Sequence, residues 1–217
     1  MQRKLDFWVD AKAKNRYLPW KRVLDVVVST VALALCLPTM LICFFLVRLT
    51  SHGPAIFRQT RVGRNGRLFV CYKFRTMTIH APSDRPASSF EDRECFVTPI
   101  GRLLRRTSLD ELPQLWNVLR GDMSLIGPRP LILREEVVHH LRHLSGADRL
   151  RPGITGLAQT HGRACLPDRE KASLDAYYAQ TLSLGQDLRI LARTLQCILF
   201  DQDGAKHGTP KKKSAPS

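Results

Sequence analysis

The sequence predicts a mostly helical α/β fold, with one N-terminal helix embedded in a membrane and a small domain that contains a short β-hairpin. Three observations support this class. A strongly apolar run lies near the N-terminus between basic flanks, glycine turns then separate two short apolar stretches, and the C-terminal half shows apolar residues at helical spacing. A length of 217 residues fits one domain with a modest core.

The charge balance of the chain is strongly basic. It holds 34 Lys and Arg against 19 Asp and Glu, a formal net charge of +15. Such a balance predicts an anionic partner, which could be nucleic acid, an anionic membrane surface or a phosphorylated substrate. The six cysteines form no CxxC pair and no zinc-type spacing, so we expect reduced thiols, with the soluble ones in a cytoplasmic compartment.

The N-terminal residues 1–22 are polar and basic, with aromatic residues between the charges. Aromatic and basic residues together are typical of a helix at a membrane interface, and a loosely ordered tail is the alternative. No small-residue cleavage site follows the apolar run, so we do not expect a cleaved signal peptide.

Val26–Val47 is the apolar run, and it forms most of a membrane segment predicted at 23–49. A helix of this length would measure about 33 Å, enough to cross a bilayer. Basic residues stand on both sides of it, so the positive-inside rule places both flanks in the cytoplasm. Pro38 removes a backbone hydrogen bond near the middle. We therefore predict a re-entrant helix that breaks at Pro38 and turns back, with a buried helix of a soluble core as the alternative. We expect Asp25 to bond to basic or backbone partners.

Ala55–Arg75 predicts a small β-hairpin, because glycine turns separate its short apolar runs and Phe69–Phe74 is typical of a strand. Lys73 and Arg75 alternate along that strand and should lie on one face. This face is either solvated or in contact with phosphate or a lipid headgroup. The next segment, 78–93, is rich in Pro, Ser, Asp and Ala, which predicts a loop over the site.

The candidate site lies between residues 101 and 130. Asp110 and Glu111 are adjacent there, and a closing GPRP turn holds Arg129 between two prolines. Carboxylates can attack phosphorus or hold a divalent metal, and arginines neutralise phosphoryl oxygens. Three further arginines precede the acidic pair, namely Arg102, Arg105 and Arg106.

Helix capping is the structural alternative for the same acidic residues. Asp110 alone, or Ser108 with Glu111 as a capping box, could cap a short helix that ends at Gly121. Capping and chemistry are compatible, because a helix N-terminus is itself an anion site.

The C-terminal half contains two weaker candidate sites. Within a helix predicted at 131–144, His139 and His143 have the i, i+4 spacing of a metal pair, but no third ligand has suitable spacing and a solvated helix face is favoured. The segment that begins at Arg151 with RPGITG is either glycine-rich backbone that approaches a nucleotide or a plain surface turn. Helices are predicted at 173–184 and 187–200, the second with an apolar face that is core or membrane contact.

Four blocks of the sequence resemble the bacterial sugar transferase family, the monotopic polyprenyl-phosphate phosphoglycosyl transferases. The resemblance runs from about Lys21 to Leu199 and implies a re-entrant membrane hairpin, although family members often carry Ser-Pro at the bend, where this chain has Leu37-Pro38. The four blocks, in the family's order, are KRVLDVVVS (21–29), GPAIFRQTRVGRNGRLFVCYKFRTM (53–77), SLDELPQLWNVLRGDMSLIGPRP (108–130) and RPGITGLAQTHGR (151–163).

The resemblance implies an enzyme on the cytoplasmic face of the bacterial inner membrane. Such an enzyme moves a sugar-1-phosphate from a nucleoside diphosphate sugar, expected to be a UDP-sugar, to polyprenyl phosphate (undecaprenyl phosphate) and starts a surface glycan such as exopolysaccharide or lipopolysaccharide. It implies that Asp110 is the nucleophile that forms a phosphosugar aspartate, that Glu111 is a metal ligand or base, and that the pair holds Mg²⁺. Phosphate contacts are expected for Lys73, Arg75, Arg102, Arg105, Arg106, Arg129 and Arg151.

We therefore expect four parts in the chain. These are a basic, aromatic interfacial N-terminus at 1–22, a re-entrant membrane helix at 23–49, a cytoplasmic catalytic domain at 50–200 and a disordered basic tail at 201–217. A nucleic-acid-binding protein would explain the charge but neither the apolar run nor the acidic pair, so nucleic acid is not an expected partner. A non-catalytic membrane scaffold could lose both carboxylates, and both are present.

Overall fold

The structure is a computed structural model that describes residues 16–82, 93–162 and 166–200. The mostly helical class with a small β-hairpin is confirmed over these residues, which form seven α-helices and two two-stranded sheets. Predictions for 1–15, for most of the 78–93 loop and for the tail beyond 200 lie outside them. The helices are α1 Tyr17–Thr50, α2 Pro99–Thr107, α3 Gln114–Arg120, α4 Glu136–Ser145, α5 Leu157–Gly162, α6 Asp168–Gln180 and α7 Leu184–Leu199, and the strands are β1 Ile56–Val62, β2 Leu68–Phe74, β3 Ser124–Ile126 and β4 Gly153–Thr155.

The N-terminal helix α1 is one uninterrupted helix of 34 residues. It begins at Tyr17, earlier than the predicted start at residue 23, and it continues through Pro38, so the predicted break of the helix is wrong. The physical reason is that a proline removes a single backbone hydrogen bond, while the turns on either side of Pro38 keep theirs.

One side of α1 faces the domain and the opposite side is exposed and apolar. The helix is long and apolar enough to cross a membrane, and only 11% of its most apolar 18-residue stretch is buried. A core helix of a soluble protein would be mostly buried, so this low value argues against that alternative. The buried positions are Lys21, Asp25, Ser29, Cys43 and Val47, and the exposed apolar residues include Val23, Val27, Leu35, Leu41, Phe45 and Leu49.

The N-terminal turns of α1 are attached to the domain by polar contacts. Lys21 Nζ lies 2.6 Å from Asp187 Oδ2 at the start of α7, and both side chains are buried. Arg22 donates to the carbonyl oxygens of Val118 and Leu119 at the end of α3, at 2.6 and 2.9 Å. Two turns into the helix, Asp25 accepts a hydrogen bond from a backbone N–H of the domain, as expected, at 3.0 Å.

The C-terminal turns of α1 are attached through apolar contacts. Cys43 and Val47 pack in one cluster with Phe74 of β2 and Leu104 of α2. Both ends of α1 therefore contact the same domain, and its exposed apolar face lies between them.

The predicted β-hairpin is confirmed. Strands β1 and β2 pair antiparallel, with Ile56 opposite Phe74 and Val62 opposite Leu68. Beyond the hairpin, Val62 also forms an isolated bridge with Leu131, so the end of β1 contacts the chain that follows the GPRP turn.

A parallel pair of three-residue strands, β3 and β4, connects the central motif to the RPGITG segment. The backbones approach so closely that a Cβ on Gly153 would lie 2.1 Å from the Gly127 nitrogen. Gly153 thus permits close contact between two chain segments, while Ile154 and Thr155 of RPGITG line the cavity. The approach of this segment to a nucleotide stays a prediction. Three-residue strands are too short to show an alternating pattern in the sequence.

The C-terminal helices form the largest buried cluster, around Tyr178 of α6 and Ile190 of α7. The predicted apolar face of α7 is not part of this core, because Leu188, Leu191 and Leu195 are all exposed. Of the two roles considered for this face, packing in the core is therefore excluded.

Candidate active site

The two adjacent carboxylates lie at a corner between two helices. α2 ends at Thr107, and Ser108 has a left-handed backbone with φ of 58°. A short 3₁₀ turn, Leu109–Glu111, follows and carries both acids. The corner directs Asp110 and Glu111 into a large cavity between α1, the hairpin and α7.

Helix capping does not explain the acidic pair. α3 begins only at Gln114, after Pro113, and neither Pro113 nor Ser108 makes a side-chain cap hydrogen bond. The capping role predicted for Asp110, and the capping box of Ser108 with Glu111, are therefore wrong. The predicted helix end at Gly121 is confirmed, because its φ of 89° stops α3 in a conformation that favours glycine.

Glu111 is held as a carboxylate by basic neighbours. Its Oε1 lies 2.5 Å from Lys73 Nζ, and both side chains are about three-quarters buried. Burial by itself raises the pKa of Glu111, but the charges of Lys73 and Arg129 outweigh it and hold this pKa below its ordinary value. Glu111 is therefore ionised at neutral pH.

Asp110 has the opposite shift. Burial, together with the negative charge of Glu111, raises the pKa of Asp110 to about 6, although Lys73 and Arg105 act in the other direction. Two neighbouring carboxylates thus differ in proton affinity because their surroundings differ, as is common where two acids have separate roles. Asp110 is the more basic of the two, and hence the better nucleophile when it is ionised.

The cavity around the pair measures about 2150 Å³. Pockets for one small ligand usually measure roughly 300–1,000 Å³, so this cavity is large enough for two substrates. Side chains of α1, including Cys36 and Phe44, line one part of it, and Leu191 and Leu195 of α7 line another.

Six of the seven predicted basic residues line this cavity together with the acidic pair. Arg105 is fixed by a 2.9 Å hydrogen bond from its Nε to the Thr76 hydroxyl. The structure thereby brings together most of the predicted phosphate-binding residues, namely Lys73, Arg75, Arg102, Arg105, Arg106 and Arg129.

Arg75 lines the cavity as well, and its hydrogen bonds go to the chain that follows α1. Its guanidinium is buried and donates to the carbonyl oxygens of Ser51 and His52 and to the Ser51 hydroxyl, just after α1 ends. The carbonyls at a helix C-terminus lack intrahelical partners and attract cations, so Arg75 holds the end of α1. The phosphate contact expected for Arg75 stays a prediction.

The phosphate contact expected for Arg151 stays a prediction, and the structure places this side chain apart from the acidic pair. Its Nε donates to the Gly121 carbonyl oxygen at 2.9 Å, beyond the end of α3. It is not among the residues that line the cavity with Asp110. Closing a turn of the backbone is its role in the structure.

The histidine pair of α4 does not form a metal site. His139 Nε2 lies 2.9 Å from the Ile132 carbonyl oxygen, and His143 Nδ1 lies 2.8 Å from Asp148. No group of three possible metal-ligating side chains is present among the residues that the structure describes.

Arg61 of β1 is a cavity residue that the sequence analysis missed. It lines the cavity beside Arg129 and donates to the Pro130 carbonyl oxygen. Gln59 and Arg61 alternate on one face of β1, and both line the cavity. This alternation was the local signal in the sequence. The bridge from β1 to the GPRP turn is a long-range contact that no local pattern reveals.

Comparison with known proteins shows which family this chain resembles. The family model described as bacterial sugar transferase matches residues 16–201. A UDP-glucose:undecaprenyl-phosphate glucose-1-phosphate transferase of Caulobacter vibrioides is 45% identical over 190 residues, 82% of this chain and 69% of that protein. An undecaprenyl-phosphate galactose phosphotransferase of Salmonella typhimurium is 37% identical over 209 residues, 90% of this chain and 43% of that protein.

A third relative is a UDP-N-acetylgalactosamine-undecaprenyl-phosphate N-acetylgalactosaminephosphotransferase of Aeromonas hydrophila, 40% identical over 190 residues, 82% of this chain and 43% of that protein. The chain thus spans less than half the length of the Salmonella and Aeromonas relatives. Since the family model covers most of the chain, the protein belongs to the bacterial sugar transferase family.

Proposed function

We propose that the protein transfers a sugar-1-phosphate from a UDP-sugar to undecaprenyl phosphate. The observation that carries this proposal is the pair of adjacent carboxylates, Asp110 and Glu111, in one large cavity lined by basic side chains and by the membrane helix. The basic side chains can bind phosphate groups, and the apolar side chains of α1 can contact a polyprenyl chain. The names of the three relatives share undecaprenyl phosphate and differ in the sugar.

The proposed reaction proceeds in two displacements at phosphorus. The Asp110 carboxylate attacks the sugar-linked phosphorus, a new P–O bond forms, and the bond to the second phosphorus breaks so that the nucleoside monophosphate leaves with its electron pair. An oxygen of undecaprenyl phosphate then attacks the same phosphorus and releases Asp110. Arg102, Arg105 and Arg106 stabilise the charge on the phosphoryl oxygens.

Glu111 assists Asp110 either as a metal ligand or as the base for the incoming lipid phosphate. The pair fits Mg²⁺, because this ion binds through one or two carboxylates together with substrate phosphates. Burial and then the charge of Glu111 raise the pKa of Asp110, and a cation between the two carboxylates would offset both effects. When bound, Mg²⁺ would neutralise charge on the transferred phosphoryl group. Lys73 keeps Glu111 ionised and oriented for either role.

We also propose that α1 enters the cytoplasmic leaflet of the inner membrane and does not cross it. Both of its ends contact the same domain, through Arg22 and Asp25 at one end and Val47 at the other. A helix attached in this way can bury its exposed apolar face in lipid while both flanks remain in the cytoplasm. The basic flanks favour the same side, so this arrangement is re-entrant in its topology although the helix does not break.

A transfer assay tests the proposed function. The protein in lipid nanodiscs, with Mg²⁺ and undecaprenyl phosphate, is incubated with a panel of UDP-sugars, and UMP release and lipid-linked sugar phosphate are measured together. We expect both products in equal amounts for at least one sugar, and neither with Asp110→Ala. Lipid product made at the normal rate by Asp110→Ala would contradict the assignment of the site.

A further inference from the structure

The backbone of the GPRP turn is held from two directions by arginine side chains. Arg142 of α4, which is buried in an ion pair with Asp175, donates to the carbonyl oxygen of Arg129 at 2.9 Å. Arg61 of β1 donates to the next carbonyl oxygen, that of Pro130, at 3.2 Å. The position of Arg129 in the cavity is therefore set by the fold, before any substrate is bound.

Arg61 is positioned to do more than support this turn. Besides its bond to Pro130, it donates to Gln59 Oε1, so within the described part of the chain two of the five N–H donors of its guanidinium are engaged. The side chain is partly buried and lines the same cavity as Arg129. Several donors thus remain for a ligand in the cavity.

Arg61 and Arg129 line the same cavity, and their positive charges repel each other. Burial, followed by the positive charge of Arg129, lowers the pKa of Arg61. The nearby acids are already bound elsewhere, since Glu111 pairs with Lys73 and Glu135 accepts from the Ile132 N–H. An anion between the two guanidiniums would relieve this repulsion.

We propose that Arg61 and Arg129 together bind the nucleotide-side phosphate of the donor, the group that leaves as the nucleoside monophosphate. This inference rests on the proposed function, since it assigns one of the phosphates which that reaction requires. Arginine suits the role because its planar fork can hold two oxygens of one phosphate.

The surroundings of the basic residues indicate which substrate's phosphate each group binds. Arg102, Arg105 and Arg106 belong to α2, whose Leu104 packs against Val47 of α1 together with Phe74 at the open end of the hairpin. The lipid phosphate should therefore approach from the α2 side. Arg61 lies near the other end of the hairpin, next to the bridge between Val62 and Leu131, and Arg129 lies on the turn held by α4. We therefore assign this pair to the soluble donor.

Binding of UMP measures this site directly. We would titrate UMP into the full-length protein in nanodiscs, for wild type, Arg61→Gln, Arg129→Gln and the double variant. Each single variant should weaken UMP binding about tenfold or more, as expected for a lost charge-assisted contact. The double variant should lose much less than the product of the two single losses, because both groups hold one anion. Arg67→Gln, an equal loss of charge on the same hairpin, should bind UMP like wild type.

Steady-state kinetics distinguish the donor from the lipid. Arg61→Gln should raise the KM for the UDP-sugar and leave the KM for undecaprenyl phosphate within about twofold, with partial recovery in Arg61→Lys. The proposal is overturned if UMP binding is unchanged, or if the KM for the lipid rises instead. It is also overturned if Arg61→Gln and Arg61→Lys both lower kcat and the melting temperature without changing UMP affinity, since the role would then be structural.

The proposed function fails separately from this inference. If wild-type protein forms no lipid-linked sugar phosphate with any nucleotide sugar, the function is wrong whatever the variants bind. If wild type is active and Arg61→Gln binds UMP normally, only the assignment of the Arg61–Arg129 pair is wrong.

Discussion

Asp110 and Glu111 show at the scale of single residues how neighbours in sequence acquire different chemistry. Glu111 is compensated by Lys73 and Arg129, whereas Asp110 has burial and a like charge beside it. An ionised Asp110 is therefore costly to the fold and useful to the reaction. Active sites commonly trade stability for reactivity in this way.

Replacement of Asp110 by Asn should abolish transfer and stabilise the protein. The raised pKa means that ionising Asp110 above pH 6 costs folding free energy, and the neutral amide avoids this cost. We expect a gain of about 1–2 kcal/mol at pH 7.5, allowing for partial solvent screening. Thermal unfolding in nanodiscs measures it. The gain should shrink as pH falls through 6 and vanish below the ordinary pKa of Asp; a loss of stability at pH 7.5 would contradict the assigned environment.

The pH dependence of catalysis should report the same group. If ionised Asp110 is the nucleophile, kcat/KM for the donor should fall tenfold per pH unit below an apparent pKa near 6. This ratio reports the ionisation of the enzyme before the donor binds. Arg105 lowers the pKa of Asp110, so Arg105→Gln should move this limb to higher pH. Arg120→Gln, an exposed arginine outside the cavity, is the control. A limb that stays in place in Arg105→Gln would exclude Asp110 as the titrating group.

At the scale of elements, α1 and the short turn that carries Asp110 and Glu111 are connected through α3. Arg22 of α1 binds the last carbonyls of α3, and α3 begins three residues after Glu111. A similar contact occurs at the other end of α1, where Arg75 donates to backbone carbonyl oxygens just after the helix. Two arginines thus attach the ends of the membrane helix to the domain that holds the site.

Arg22→Gln should weaken this attachment. It removes two hydrogen bonds from a charged donor to carbonyls at a helix C-terminus, where cations are favoured, and we expect a loss of about 2–3 kcal/mol in stability. Chemical unfolding in detergent gives the value, and kcat should fall with it because α3 supports the acidic turn. Arg16→Gln, exposed on the first turn, is the matched control. Equal stability of the two variants would show that the Arg22 contacts contribute nothing.

At the scale of the whole molecule, the contacts at both ends of α1 make a testable statement about topology. Single cysteines at Arg16 and at His52, both exposed, flank the membrane helix in a background without native cysteines. If α1 does not cross the membrane, a membrane-impermeant thiol reagent should label both sites in inside-out vesicles and neither in intact spheroplasts. Labelling of the His52 position from the outer face would show that the helix spans the bilayer and that its contacts with the domain are wrong.

The sequence by itself determined those features that depend on local composition and spacing. The apolar run defined the membrane helix, the glycine turns defined the hairpin at Ala55–Arg75, and the Asp110–Glu111 pair with its nearby arginines located the site. Each of these is a property of a short stretch, because hydrophobicity, turn preference and side-chain chemistry act over a few residues.

The tertiary structure alone decided which residues converge. Arg61 joined the site through a bond to Pro130, 69 residues later in the chain. Arg75 and Arg151 donate to backbone carbonyls, and of these two only Arg75 lines the cavity. The protonation states of Asp110 and Glu111 likewise depend on Lys73, which comes from another element. The physical reason is the same throughout: a charged side chain takes its role from the partners that folding places around it, and those partners are distant in the sequence.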